Sequence, residues 1–137
     1  INYHIYGSPK YLEKNGYPKT INDLNKHNFI SFGRGAPSPV FNPDWALKLG
    51  TKDGKKRKTV MKVNSVYGLL LAVQSGVGLA ALPDYLTINQ PNIVKVIPSA
   101  EGPITEAHFV YPQSLKNVAR VQAFRNFLYS KISEWKF

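Results

Sequence analysis

The sequence predicts a mixed α/β fold on three observations. Short apolar runs of strand length recur along the chain, segments of helical periodicity with cap residues alternate with them, and no internal repeat or low-complexity tract interrupts the mixture. Elements interleaved in this way bury one another's apolar faces in layers, here around a sheet of mixed direction.

The first element is a strand. Ile1, Tyr3 and Ile5 alternate with Asn2 and His4, a half-buried pattern that ends at Gly7-Ser8-Pro9. Ser8 followed by Pro9 opens a short helix through Tyr11 and Leu12, because a serine cap supplies an acceptor and proline needs no amide donor at the first position. Asn15-Gly16 stops it. Thr20 caps a second short helix carrying Ile21 and Leu24, with Asp23 placed to favour its N-terminal dipole. Phe29 to Phe32 reads as a buried strand, and Gly33-Arg34-Gly35-Ala36-Pro37-Ser38-Pro39 as a loop.

Trp45 to Leu49 and Thr59 to Val63 are strand-like, with Asp53-Gly54 between them as a hairpin signal, and the basic run Lys55-Lys56-Arg57-Lys58 falls on the hairpin arm. Asn64 or Ser65 caps the clearest helix, which carries Val66, Leu69, Leu70 and Val73 on one stripe and has Gly76 where a left-handed C-terminal cap is wanted. Leu79 to Leu82 is a fully apolar strand ended by Pro83; Ile93 to Ile97 and His108 to Tyr111 are two more. Val121, Phe124, Leu128, Ile132 and Trp135 repeat at helical spacing in the C-terminal segment, an amphipathic helix suited to lie on a sheet.

Composition limits the chemistry. The 137 residues carry 18 basic and 8 acidic side chains, a formal net charge of +10 that attracts anions without selecting one. With no cysteine, disulfides and thiolate metal sites are excluded. No run reaches the roughly 18 apolar residues of a membrane helix, and His4, His27 and His108 lie outside any metal-ligand spacing. No G-x-S-x-G elbow is present, and a triad from Ser65, His108 and Asp84 requires free choice of residues. Gly76-Val77-Gly78-Leu79-Ala80-Ala81 matches G-x-G-x-x-A, but dinucleotide binding needs strand, glycines, helix, and the order here is helix, glycines, strand. A C-terminal cap is the better reading. The run at 55 to 58 has no interleaved aromatic residues and reads as a solvated face. The amino-end of the helix at Ser65, with unpaired amides and Asn64 and Ser65 as side-chain donors, is the best candidate for holding a carboxylate or other polar group.

Three phrases occur in order across the chain. Ser8-Pro9-Lys10-Tyr11-Leu12 with Gly16-Tyr17-Pro18, Asp23-Leu24 and His27 resembles the opening passage of the effector-binding domain of LysR-type transcriptional regulators. Asn64-Ser65, leading through Ala72-Val73-Gln74-Ser75-Gly76-Val77-Gly78-Leu79-Ala80-Ala81-Leu82-Pro83-Asp84-Tyr85-Leu86, is similar to the same family's central phrase. Val110-Tyr111-Pro112 with Arg120-Val121 and Phe124-Arg125-Asn126-Phe127-Leu128 resembles its ending.

The resemblance implies a periplasmic-binding-protein-like architecture of two α/β lobes closing on a small-molecule effector. This chain would contribute one complete lobe with a mixed sheet and part of the other. Residues 1–6 would be a crossing strand from lobe one, 7–103 lobe two, and 104–137 the return strand and C-terminal helix of lobe one. A start without methionine, inside an alternating run, reads as a fragment lacking the first half of lobe one, and the uncovered apolar surface would drive homodimers or higher oligomers. DNA would be bound only through an N-terminal winged helix-turn-helix that this sequence does not include. The implied cleft wall comprises Ser31, Phe32, Gly33, Arg34, Asn64, Ser65 and Val66, with Tyr6 and Gly7 at the hinge and the planar guanidinium of Arg34 suited to an anionic group. The expectation is therefore a non-catalytic, cytoplasmic sensing domain without cofactor or metal. A solute-binding protein of the same architecture and a small α/β hydrolase are the alternatives.

Overall fold

The structure, a computed structural model, describes residues 1–33, 42 and 44–134. It divides into two compact units, Ile1–Thr105 and Glu106–Phe137.

In the first unit, β1 (Tyr3–Gly7) is the middle strand of a three-stranded antiparallel sheet, between β4 (Ala80–Pro83) and β5 (Val94–Val96). A parallel pair, β2 (Phe29–Phe32) and β3 (Thr59–Val63), meets this sheet through a parallel bridge between Phe29 and Leu79. Two backbone bonds close that bridge: Ile30 N–H donates to Leu79 O at 2.8 Å and Leu79 N–H to Asn28 O at 2.9 Å.

The side-chain period of two sorts the strands into two cores. Tyr3, Ile5, Phe29, Leu79 and Val96 pack with Tyr11 and Leu12 of α1 (Pro9–Asn15) and with Leu24. Tyr6, Ile30, Ala80 and Leu82 pack with Leu69, Leu70, Ala72 and Val73 of α3 (Val66–Gln74). Helical elements thus cover both faces, which corrects the half-buried pattern expected for the first strand: every residue of β1 is buried, His4 included. A polar residue is tolerated there because it is paired, as described below.

The helix ends follow the sequence cues. Ser8 Oγ accepts from Tyr11 N–H at 3.3 Å with Pro9 next in line. Thr20 and Asp23 form a reciprocal capping box at the start of a 3-10 turn over Ile21–Lys26. After α3, Gly76 N–H donates to Val73 O at 2.9 Å and Val77 N–H to Ala72 O at 3.3 Å, with Gly76 at φ 79°: a Schellman cap. Gly78 has a different task, since a Cβ there would stand 2.6 Å from Asn28 O, on the backbone of the neighbouring strand entry. Both glycines serve helix termination and strand approach, in the order that argues against a nucleotide fingerprint.

Three further expectations are corrected. Trp45 to Leu49 is not a strand: Trp45–Lys48 is a short helix, α2, with Trp45, Ala46 and Leu47 buried in the core. A short apolar run has no periodicity that separates strand from helix, so packing decides. Asp53-Gly54 is not a hairpin turn, because the segment expected as its first arm is the helix Trp45–Lys48 and β3 pairs instead, in parallel, with β2. Both residues nevertheless take positive φ, 54° and 65°, within a 3-10 turn over Lys52–Gly54.

The third correction lies in the second unit, where His108 to Tyr111 forms no ladder. Phe109 packs instead on Tyr111 and edge-on to Phe124, with ring centroids 5.4 and 5.7 Å apart. Phe124 belongs to α4 (Ala119–Ser133), in which no side chain is buried.

Candidate functional site

The parallel pairing of β2 and β3 brings two of the expected segments together. Ser31 lies opposite Lys62 and Phe32 opposite Val63, and beyond the last pair Gly33 N–H donates to Val63 O at 2.7 Å. Gly33 therefore sits against the backbone at Val63 and Asn64, with 3.9 Å from an added Cβ to Asn64 N. The chain turns there and enters α3, where Ser65 Oγ accepts from Gly68 N–H at 3.3 Å and Leu69 N–H begins the helical ladder on Ser65 O. Such an end leaves first-turn amides without helical acceptors and a positive dipole at the edge of the sheet.

Exposure differs along this edge. Ser31 is buried, Phe32, Gly33 and Val66 are half-buried, and Asn64 and Ser65 are exposed. Phe32 and Val66 share a small cavity of about 20 Å³ with Tyr3, Trp45 and Leu69. Ser31 and Phe32 also border a depression of about 300 Å³ with Asp44, Lys56, Arg57, Lys58 and Lys62, in which Asp44 is paired with Lys56. The edge thus combines exposed hydrogen-bonding groups with nearby cations. Arg34 lies outside the described residues. Tyr6 and Gly7 are not on this edge: they belong to the middle strand, where Tyr6 is buried and an added Cβ on Gly7 would stand 2.7 Å from Leu79 Cδ2.

A polar cluster that sequence reasoning missed lies under the antiparallel sheet. The buried Asp84 carboxylate accepts from His4 Nδ1 at 2.8 and 2.9 Å, from the Tyr6 hydroxyl at 2.8 Å and from Lys95 Nζ at 3.1 Å. Burial alone would raise its pKa, but the donors His4, Tyr6 and Lys95 outweigh burial and hold it below the ordinary carboxylate value. The carboxylate in turn sets the tautomer of His4, with the proton on Nδ1. Alternation does place His4 and Tyr6 on one face of β1, a legible signal; Asp84, 80 positions from His4, gives none.

Arg57 was also missed, being hidden in a run of like charges. Its guanidinium donates to Asn25 Oδ1, Ala46 O and Ile21 O at 2.8, 3.0 and 3.3 Å and lies 5.8 Å over the Phe29 ring. It ties α2 to the 3-10 turn before β2. His27 is likewise structural, with its Nδ1 3.3 Å from the Tyr11 hydroxyl, and burial holds its pKa below the ordinary value. Among the described residues no group of three or more His, Asp or Glu is placed to hold a metal ion, and no helix is long and apolar enough to cross a membrane.

A family model described as the LysR substrate binding domain matches residues 2–132. A curated relative, an uncharacterised HTH-type transcriptional regulator of Haemophilus influenzae, is 29% identical over 113 residues, which are 80% of this chain and 38% of the relative. Among solved structures, the LysR-type regulator CrgA of Neisseria meningitidis aligns at 21% identity and a TM-score of 0.69, over 95% of this chain and 44% of that one. The effector domain of AmpR from Pseudomonas aeruginosa aligns at 18% identity and a TM-score of 0.66, over 96% and 61%. At these identities the structures speak for the fold alone. The chain spans under half the length of the curated relative and of CrgA.

Proposed function

The chain belongs to the LysR substrate-binding domain family, and from that premise we propose that it senses a small anionic metabolite at the edge formed by Ser31–Gly33 and Asn64–Val66. The carrying observation is the convergence of the ends of β2 and β3 with the amino-end of α3, closed by the 2.7 Å bond from Gly33 to Val63. Residues far apart in sequence there present backbone amides, two exposed polar side chains and a positive helix end to one place, an arrangement that holds carboxylate or phosphate groups.

The reading is non-catalytic. Asp84 and His4 form the described acid–imidazole pair, but both are buried, and their neighbours Tyr6 and Lys95 complete a set of donors around one carboxylate. That suits a link between strands. In the whole regulator the sensing edge would face a second lobe, with residues 1–6, 7–103 and 104–137 divided between lobes as the family resemblance implies, in a cytoplasmic oligomer. Binding would shift the regulator's state in proportion to the effector's differential contact with closed and open forms.

The test is calorimetric titration of the chain with a panel of three- to six-carbon mono- and dicarboxylates, repeated with Ser65→Ala and Asn64→Ala together. We expect at least one carboxylate to bind, and the double substitution to weaken it about tenfold, the loss of one charge-assisted hydrogen bond. A carboxylate bound equally by both proteins removes this edge from the site.

A further inference from the structure

We propose that a second surface, which adjoins the effector edge through Lys56, Arg57 and Lys58, docks the phosphate backbone of duplex DNA without reading its sequence. The surface is an open groove of about 700 Å³ bounded by the 3-10 turn at Ile21–Lys26 and by residues 50–58. Lys26, Lys52, Lys55, Lys56, Arg57 and Lys58 supply cations to it, and no acidic side chain lines it.

Two of the six cations are committed. Lys56 is paired with Asp44, and Arg57 is anchored to Asn25, Ala46 and Ile21, so it fixes the floor. Lys26, Lys52, Lys55 and Lys58 are exposed, and their ammonium groups have no partner among the described residues. In sequence the run at 55 to 58 is a solvated face. Folding changes its meaning by placing Lys26 and the amides of Asn22, Asn25 and Asn28 across from it.

The lining selects among polyanions. Lysine, asparagine and threonine are the side chains that meet phosphate oxygens along a duplex. Single strands would call for exposed aromatic stacking platforms; among the described residues the one aromatic ring in the lining is that of His27, which is buried. A protein partner would call for desolvated aromatic or aliphatic anchors, which are absent from the lining as well. Among the described residues no helix long enough to enter a major groove borders it, so contact is with the backbone.

The test is fluorescence anisotropy of the 137-residue chain with a random-sequence 20-base-pair duplex between 50 and 200 mM salt. Four lysine–phosphate contacts imply a loss of affinity of roughly 150-fold over that range, and one remaining contact a loss of about fourfold. Lys52→Gln, Lys55→Gln and Lys58→Gln together are expected to flatten the dependence in that way. An equal charge removal at Lys10, Lys14 and Lys116 is expected to leave it steep. Equal flattening by both variants, or no duplex binding by the unaltered chain at 50 mM salt, overturns the proposal. So does polyglutamate of matched charge competing as well as duplex, which would assign the groove to an acidic protein. Carboxylate binding at the effector edge is tested by Ser65→Ala with Asn64→Ala, which leave the groove lysines in place, so the two proposals fail distinguishably although Lys56, Arg57 and Lys58 border both surfaces.

Discussion

Asp84 is a buried carboxylate with three side-chain donors, and its role follows from that. Three donors converge on one buried carboxylate, so removing it leaves His4 and Tyr6 buried without an acceptor and Lys95 without a counter-ion. Asp84→Ala is expected to destabilise the chain by about 3 kcal/mol, the low end for breaking a buried charged pair because Lys95 is partly exposed. The pH dependence has a definite sign. A native pKa below the ordinary 3.8 means the unfolded chain binds the proton more readily. The stabilisation is therefore fully present above about pH 4 and is lost as pH falls through the native value. Urea midpoints measured from pH 7 to pH 2 should drop more steeply below pH 4 in the unaltered chain than in Asp84→Asn; parallel curves would show that the carboxylate is not held in its ionised form.

At the scale of elements, caps and glycines were the most legible features, because each depends on local backbone chemistry alone. Ser8-Pro9, Thr20 with Asp23, Ser65 and Gly76 all act where the sequence places them. What failed was element type in short apolar runs. Trp45 to Leu49 became helix and His108 to Tyr111 stayed outside any ladder, since a strand exists only where another strand offers an edge, and that is a long-range fact. The two glycines after α3 separate the local from the long-range cause. Gly76→Ala forces a side chain into left-handed backbone, at about 1 kcal/mol. Gly78→Ala drives a methyl group onto Asn28 O, where backbone rather than a pliable side chain must yield, and about 2 to 3 kcal/mol is expected. Thermal denaturation of the two variants checks the order, and a Gly78→Ala protein as stable as Gly76→Ala would mean that the bridge at Phe29 and Leu79 gives way freely.

At the scale of the molecule, the helix start at Asn64 and Ser65 was legible from its capping chemistry, but its place beside residues 31–34 in the proposed effector edge was legible only through the resemblance, before any pairing of β2 with β3 could be derived. The basic groove was not legible, because half of it comes from a 3-10 turn whose sequence reads as an ordinary capped helix. A net charge of +10 acts on both of the surfaces that follow from this, in opposite senses. It favours duplex, and added salt weakens that attraction. It opposes contact between copies of the chain, and added salt relieves the repulsion. One surface available for such contact is on α4, where Phe124, Phe127, Tyr129 and Ile132 are 53, 56, 65 and 48% exposed. Phe124, Phe127 and Ile132 fall within one helical stripe, so a second copy can cover them together. Sedimentation equilibrium is therefore expected to give a mass above the 15.4 kDa of the single chain, rising between 50 and 500 mM salt, and falling to that value in Phe124→Ser with Phe127→Ser. A single species of 15.4 kDa at every salt concentration would show that the helix face does not join copies of the chain.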